Sequence, residues 1–69
     1  MERRQVDSTN ISSIGYDEDL TTLEVEFHNG SVYQYLDVPL HVFEGLRDAD
    51  SKGKHFAQHI KGYYRYVKV

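Results

Sequence analysis

Leu23, Val25 and Phe27 alternate with Thr22, Glu24, Glu26 and His28, the period of two expected of a strand packed on one face and wet on the other. Asn29-Gly30 interrupts, and Ser31-Val32-Tyr33-Gln34-Tyr35-Leu36 resumes with β-branched and aromatic residues. Asn-Gly between two such runs is a strong local signal for a hairpin. A two-residue loop would pair Phe27 with Val32 and leave both tyrosines on the acidic face. A three-residue loop, His28-Asn29-Gly30 with Gly30 left-handed, pairs Val25 with Tyr33 and Leu23 with Tyr35. That register gathers Leu23, Val25, Phe27, Tyr33 and Tyr35 on one face. It also keeps Gln34 out of the core, where an unpaired amide costs about 1–3 kcal/mol. The three-residue loop is therefore the predicted one.

Upstream, Ile14 and Tyr16 stand two apart in a Ser/Thr/Ile-rich stretch, which predicts a first strand over residues 10–16, and Asp17-Glu18-Asp19 reads as a charged turn. Residues 1–5 show no periodicity and are expected to fray as a disordered N-terminus. Downstream, Asp37-Val38-Pro39 ends the sheet, with Pro39 suited to the first turn of a helix. Val42, Phe43, Leu46 and Ala49 recur at helical spacing, predicting a helix over residues 39–49. Ser51 can cap a second helix on which Gly53, Phe56, Ala57 and Ile60 form one stripe and Lys54, Gln58 and Lys61 lie opposite. Gly62 stops it, and the alternation in residues 63–69 allows a closing strand. The expected class is α+β: a three-stranded antiparallel meander, two short helices and a C-terminal strand, in a single domain over residues 6–69.

The length of 69 residues permits no second domain. A chain this short buries only about 60% of the surface its unfolded form exposes, and with no cysteine there is no disulfide to reinforce it. No apolar run approaches a membrane span and no segment reads as a signal peptide, so a cytoplasmic setting with no membrane partner is expected.

The net charge of −3 conceals a division along the chain. Residues 1–51 carry three basic side chains against all eleven acids, a balance of −8, whereas residues 52–69 carry five basic side chains and no acid, a balance of +5. Such asymmetry either points to an anionic partner at the basic end or neutralises itself within the fold.

Catalytic signatures are missing. No motif brings a serine to a histidine, the five glycines are scattered singly, and Glu24 and Glu26 read as a solvated strand face. A domain this small seldom carries a concave pocket of about 300 Å³. No enzyme activity and no cofactor are therefore expected. His55 and His59, at i and i+4, share a helix face, but they lack a third ligand and lie beside Lys52 and Lys54, so no specific metal site is expected there. The aromatic side chains admit two roles. Tyr33 and Tyr35 are either core residues or ligand contacts. Tyr63, Tyr64 and Tyr66, beside Lys61 and Arg65, are either edges of the core or stacking platforms for unpaired bases.

Taken in order, Ile14-Gly15-Tyr16-Asp17, Leu23-Glu24-Val25-Glu26-Phe27, Gly30, Tyr33-Gln34-Tyr35, Val38-Pro39 and Ser51-Lys52-Gly53 resemble the KTSC domain, whose mark is a central Tyr-x-Tyr, here Tyr33 and Tyr35. A family-like tail is present in Phe56, Ile60 and Lys61, and the resemblance spans about residues 8–66. That family takes its name from a segment at the C-terminus of some lysyl-tRNA synthetases and also occurs as small free-standing bacterial and phage proteins. Its function is usually described as unknown. The resemblance implies a small non-catalytic binding domain, with accessory RNA binding, tRNA included, suggested by the synthetase attachment. For this chain the expectation places Lys54, Lys61 and Arg65 on phosphates and Tyr63 and Tyr64 on bases or sugars. The alternative is a protein–protein adaptor that uses a sheet edge or the acidic hairpin face.

Overall fold

A computed structural model describes residues 1–69. Its strands are β1 (Arg3–Gln5), β2 (Ile11–Asp17), β3 (Thr22–Phe27), β4 (Val32–Tyr35) and β5 (Tyr66–Lys68), and its helices α1 (Leu40–Asp48) and α2 (Lys52–His59) lie between β4 and β5. The strands form one antiparallel sheet in the order β1-β2-β3-β4-β5. The α+β class stands as expected, and the closing strand forms.

The β3–β4 hairpin has the three-residue loop. Leu23 pairs with Tyr35 and Val25 with Tyr33, and Gly30 takes φ 90°, a left-handed value that glycine reaches without a Cβ penalty. Leu23, Val25 and Tyr35 consequently lie buried beneath the helices, while Gln34 points to the other face and donates to Glu24 Oε1 at 2.8 Å.

β2 solves a parity problem. Ile11 and Ile14 are three residues apart, so a regular strand would turn them to opposite faces. A bulge between Ile11 and Ser13 makes Ile11 oppose Phe27 and Ile14 oppose Val25, and both isoleucines enter the core.

The expected fraying of residues 1–5 is corrected by β1, which pairs Arg3, Arg4 and Gln5 with Gly15, Ile14 and Ser13. This strand carries no hydrophobic alternation because its support is polar and steric. Arg3 reaches across Gly15 to Glu24 at 3.4 Å, and a Cβ on Gly15 would lie 2.5 Å from the Glu2 carbonyl oxygen.

α1 begins one residue later than predicted, with Pro39 as its N-cap and no side-chain cap. Leu46 is buried, and Phe43 stacks on Tyr16 with ring centroids 5.0 Å apart. In α2 the Ser51 hydroxyl accepts from the Lys54 N–H, as a serine cap should. Of the predicted α2 stripe, Phe56 and Ile60 are buried but Ala57 is exposed. The helices cover one sheet face only. On the open face, Arg3, Gln34 and Ser13 occupy the carboxylates of Glu24 and Glu26.

Candidate nucleic-acid interface

Phe27, Tyr33, Tyr66, Tyr35 and Phe56 form a closed ring of aromatic neighbours, with successive centroids 5.4–5.8 Å apart and mostly edge-on. Strand parity brings Tyr33, Tyr35 and Tyr66 to the helix side, and Phe56 reaches them from α2. Such pairs contribute about 0.5–1.5 kcal/mol each beyond the area they bury. The ring therefore ties β3, β4, β5 and α2 together. Tyr35 is buried and Tyr33 half-buried, and both pack within this ring. Burial first, then Tyr66 and Tyr33, holds the Tyr35 phenol above its ordinary pKa.

Around this ring the basic segment divides. Lys54 and Lys61 are exposed and make no ion pair. Arg65 is exposed too, but its guanidinium sits 2.9 Å from Asp37. Its carbonyl accepts from the Leu36 N–H at the far end of β4, whereas Lys61 lines a groove beside the His28–Gly30 turn at the near end. The two cations thus flank the length of β4. Lys52 turns away, donating to the Ala49 carbonyl. Tyr63 is 69% exposed, while Tyr64 is half-buried against the core. Lys68, not nominated from sequence, pairs with Tyr33 and so stands on the helix side near Lys61's end of the sheet. Its parity with Tyr66 was the available signal.

Two open grooves are present, although a domain this small seldom carries a concave site. One groove of about 920 Å³ lies between β1, β2 and α1, and another of about 360 Å³ lies between α2, the start of β2 and the β3–β4 turn. Two helices of nine and eight residues cannot cover five strands, and grooves remain on either side of them. The larger groove carries Glu2, Asp7, Asp17, Glu18 and Glu44 among its lining side chains; the smaller has no acid.

A family model for the KTSC domain matches residues 7–66. The chain belongs to the KTSC domain family. Among KTSC relatives, an uncharacterized protein of Stutzerimonas stutzeri is 43% identical over all of this chain and 99% of its own length. A lysine–tRNA ligase of Nostoc punctiforme is 45% identical over 86% of this chain, a match that spans only 10% of the ligase. The crystal structure of a KTSC domain protein from Yersinia pestis superimposes with a TM-score of 0.94 at 42% identity, covering 99% of this chain and 96% of that one. Tyr33 and Tyr35, either side of Gln34, supply two of the five members of the aromatic ring. No helix is long and apolar enough to cross a membrane.

His55 and His59 have ring centroids 4.5 Å apart, and no third His, Asp or Glu joins them in a group that could hold a metal ion. His55 packs toward α1, its Nε2 lying 3.3 Å from where a Cβ on Gly45 would be. Burial first, then His59, holds the His55 imidazole below its ordinary pKa. The unfolded chain therefore binds the proton more readily. His55 contributes stability that is complete above the unfolded value near 6.5 and declines as pH falls from there toward the folded value. Urea midpoints measured at about pH 7.5 and 5.5 should show wild type losing more stability on acidification than His55→Gln. An equal loss in both would remove His55 from the explanation.

Proposed function

We propose that this KTSC domain is a non-catalytic accessory RNA-binding module, with tRNA or a similarly folded RNA as partner, acting in the cytoplasm. The observation that carries the reading is the segregation of charge on the folded surface. Glu24 and Glu26 are taken up by Arg3, Gln34 and Ser13, while Lys54 and Lys61 project from α2 and its C-terminal turn with no carboxylate partner. Affinity for nucleic acid comes mainly from cations free to replace counterions on phosphates. Arg65 can join them, since a pair as exposed as Arg65–Asp37 contributes little and exchanges readily for phosphate. Tyr63 offers an exposed ring for stacking, and Tyr64 only its outer edge. The kinship with a segment of lysine–tRNA ligases supports an RNA setting. The non-catalytic part is supported by Ser13, whose hydroxyl donates to Glu26 but is buried on the open sheet face, away from both grooves.

Three neutralised phosphates correspond to a log–log salt slope of about −2 to −3 and to affinity at the micromolar level or weaker. Titration of labelled tRNA at several salt concentrations should return that slope, and replacing Lys54, Lys61 and Arg65 together by Ala should abolish binding. Absence of binding at low salt would overturn the reading. A protein–protein adaptor would then lead, favoured by the unpaired outer edge of β5, where Tyr66, Val67 and Val69 are exposed.

A further inference from the structure

The smaller groove combines four properties that together select a ligand. Its floor is apolar: Phe27 is half-buried and is the accessible ring, whereas Ile11 and Phe56 are buried. Its helix side is formed by Gly53, Phe56 and Ala57 of α2, with the Phe56 ring buried. Its rim carries the amides of Asn10 and Asn29 and the ammonium of Lys61. None of its lining residues is acidic, on a chain with eleven acids.

The rim is held in place. The His28 N–H donates to the Asn10 carbonyl at 3.0 Å, and His28 Nε2 lies 2.8 Å from the Ser8 carbonyl oxygen, which can only accept, so the proton is on Nε2. Asn29 Oδ1 accepts from the Ser31 N–H at 2.9 Å, which leaves its amide hydrogens to donate outward. Asn10 Nδ2 lies against α2, 3.6 Å from where a Cβ on Gly53 would stand. These bonds tie the segment at residues 8–10 to the hairpin turn across the groove from the helix.

An open groove with one accessible aromatic ring, amide groups, one cation and no acid has the chemistry of a nucleotide site. The base lies against Phe27, its polar edge meets the amides, and the phosphate meets Lys61. The volume of about 360 Å³ sits at the low end for ligand pockets, roughly 300–1,000 Å³, and is large enough for one nucleotide. Deepening the RNA-binding reading on which it rests, we propose that this groove takes a single unpaired nucleotide of the bound RNA. The larger groove sets five carboxylates against Arg4, Arg47 and Lys52, a net negative lining that suits the same ligand less well.

The test uses the intact chain, a short single-stranded RNA of mixed sequence, a duplex of the same composition, and labelled tRNA. Ala57 is exposed on α2, so Ala57→Glu and Ala57→Gln are expected to keep the fold while placing a charge or only bulk at the groove. Single-stranded RNA should shift the amide resonances of residues 10, 27, 29, 53, 57 and 61. Ala57→Glu should weaken tRNA and single-strand binding by at least about tenfold, and it should weaken duplex binding too because it stands four residues before Lys61. Ala57→Gln should weaken tRNA and single-strand binding less but leave duplex binding unchanged. Resonance shifts confined to residues 63–66, or Ala57→Glu binding tRNA as wild type does, would overturn the groove and leave the RNA-binding reading standing. No binding of any RNA by the wild-type chain would overturn both.

Discussion

Tyr35→Ala and Phe56→Ala are each expected to lower stability by about 3 kcal/mol, since truncating a buried aromatic removes its transfer energy and leaves a cavity. Tyr35 and Phe56 are 6% and 5% exposed and touch each other edge-on, at a centroid separation of 5.4 Å. Each also joins two strands or a strand and a helix: Tyr35 meets Tyr66 of β5, and Phe56 meets Phe27 of β3. Domains of this size hold total stabilities at the low end of roughly 5–15 kcal/mol, so either variant can be unfolded at body temperature. Because the two rings share a contact, the double variant should cost less than the sum of the single ones. Urea titration followed by circular dichroism checks both points. Midpoints near wild type for the single variants would show that the ring of aromatics is not what joins α2 to the sheet.

Gly15→Val is expected to cost about 2 kcal/mol by overpacking a site that has no room. The added Cβ would meet the Glu2 carbonyl oxygen at 2.5 Å, Arg3 Cγ at 2.9 Å and Arg3 Cα at 3.3 Å. Two of those three atoms are backbone, so β1 has to move as a whole. Moving it breaks the pairing of Arg3 with Gly15 and takes Arg3 away from Glu24. Hydrogen exchange resolves the outcome locally: the Val6 N–H, which donates to the Ser12 carbonyl at 3.0 Å, should lose protection in the variant, while amides in β3 stay protected relative to its global stability. Retained protection at Val6 together with an unchanged urea midpoint would show that β1 tolerates a side chain there.

Where hydrophobic pattern and local turn chemistry coincide, the reading from sequence reached atomic register. The hairpin is the clearest case, because the alternation of Leu23, Val25 and Phe27, the polarity of Gln34 and the position of Gly30 all demand one loop length. The serine cap of α2 was equally readable, since Ser51 needs only its neighbour three residues on. Elements without an apolar period stayed hidden. β1 is polar throughout and exists because β2 offers it an edge, an empty side-chain position at Gly15 and a carboxylate two strands away. The bulge in β2 was hidden for a related reason: three-residue spacing of Ile11 and Ile14 fits no simple period until Phe27 and Val25 are there to receive them.

The candidate site divides in the same way. Which residues are charged, and that five basic residues but no acid follow Ser51, is a property of the chain alone. Whether those cations form one patch is a matter of distance through space. The fold answers by sending Lys52 to Ala49, pairing Arg65 with Asp37 and leaving Lys54 and Lys61 free. The acid-free groove depends on tertiary structure even more, because Asn10, Phe27, Asn29, Gly53 and Lys61 come from four separate stretches of the chain. The sequence by itself determined the α+β class, the hairpin register, both helices and the asymmetry of charge, since each follows from interactions between residues close along the chain. Only the tertiary structure decided the edge strand, the bulge, the aromatic ring and the grooves, because each requires partners that chain connectivity does not place together.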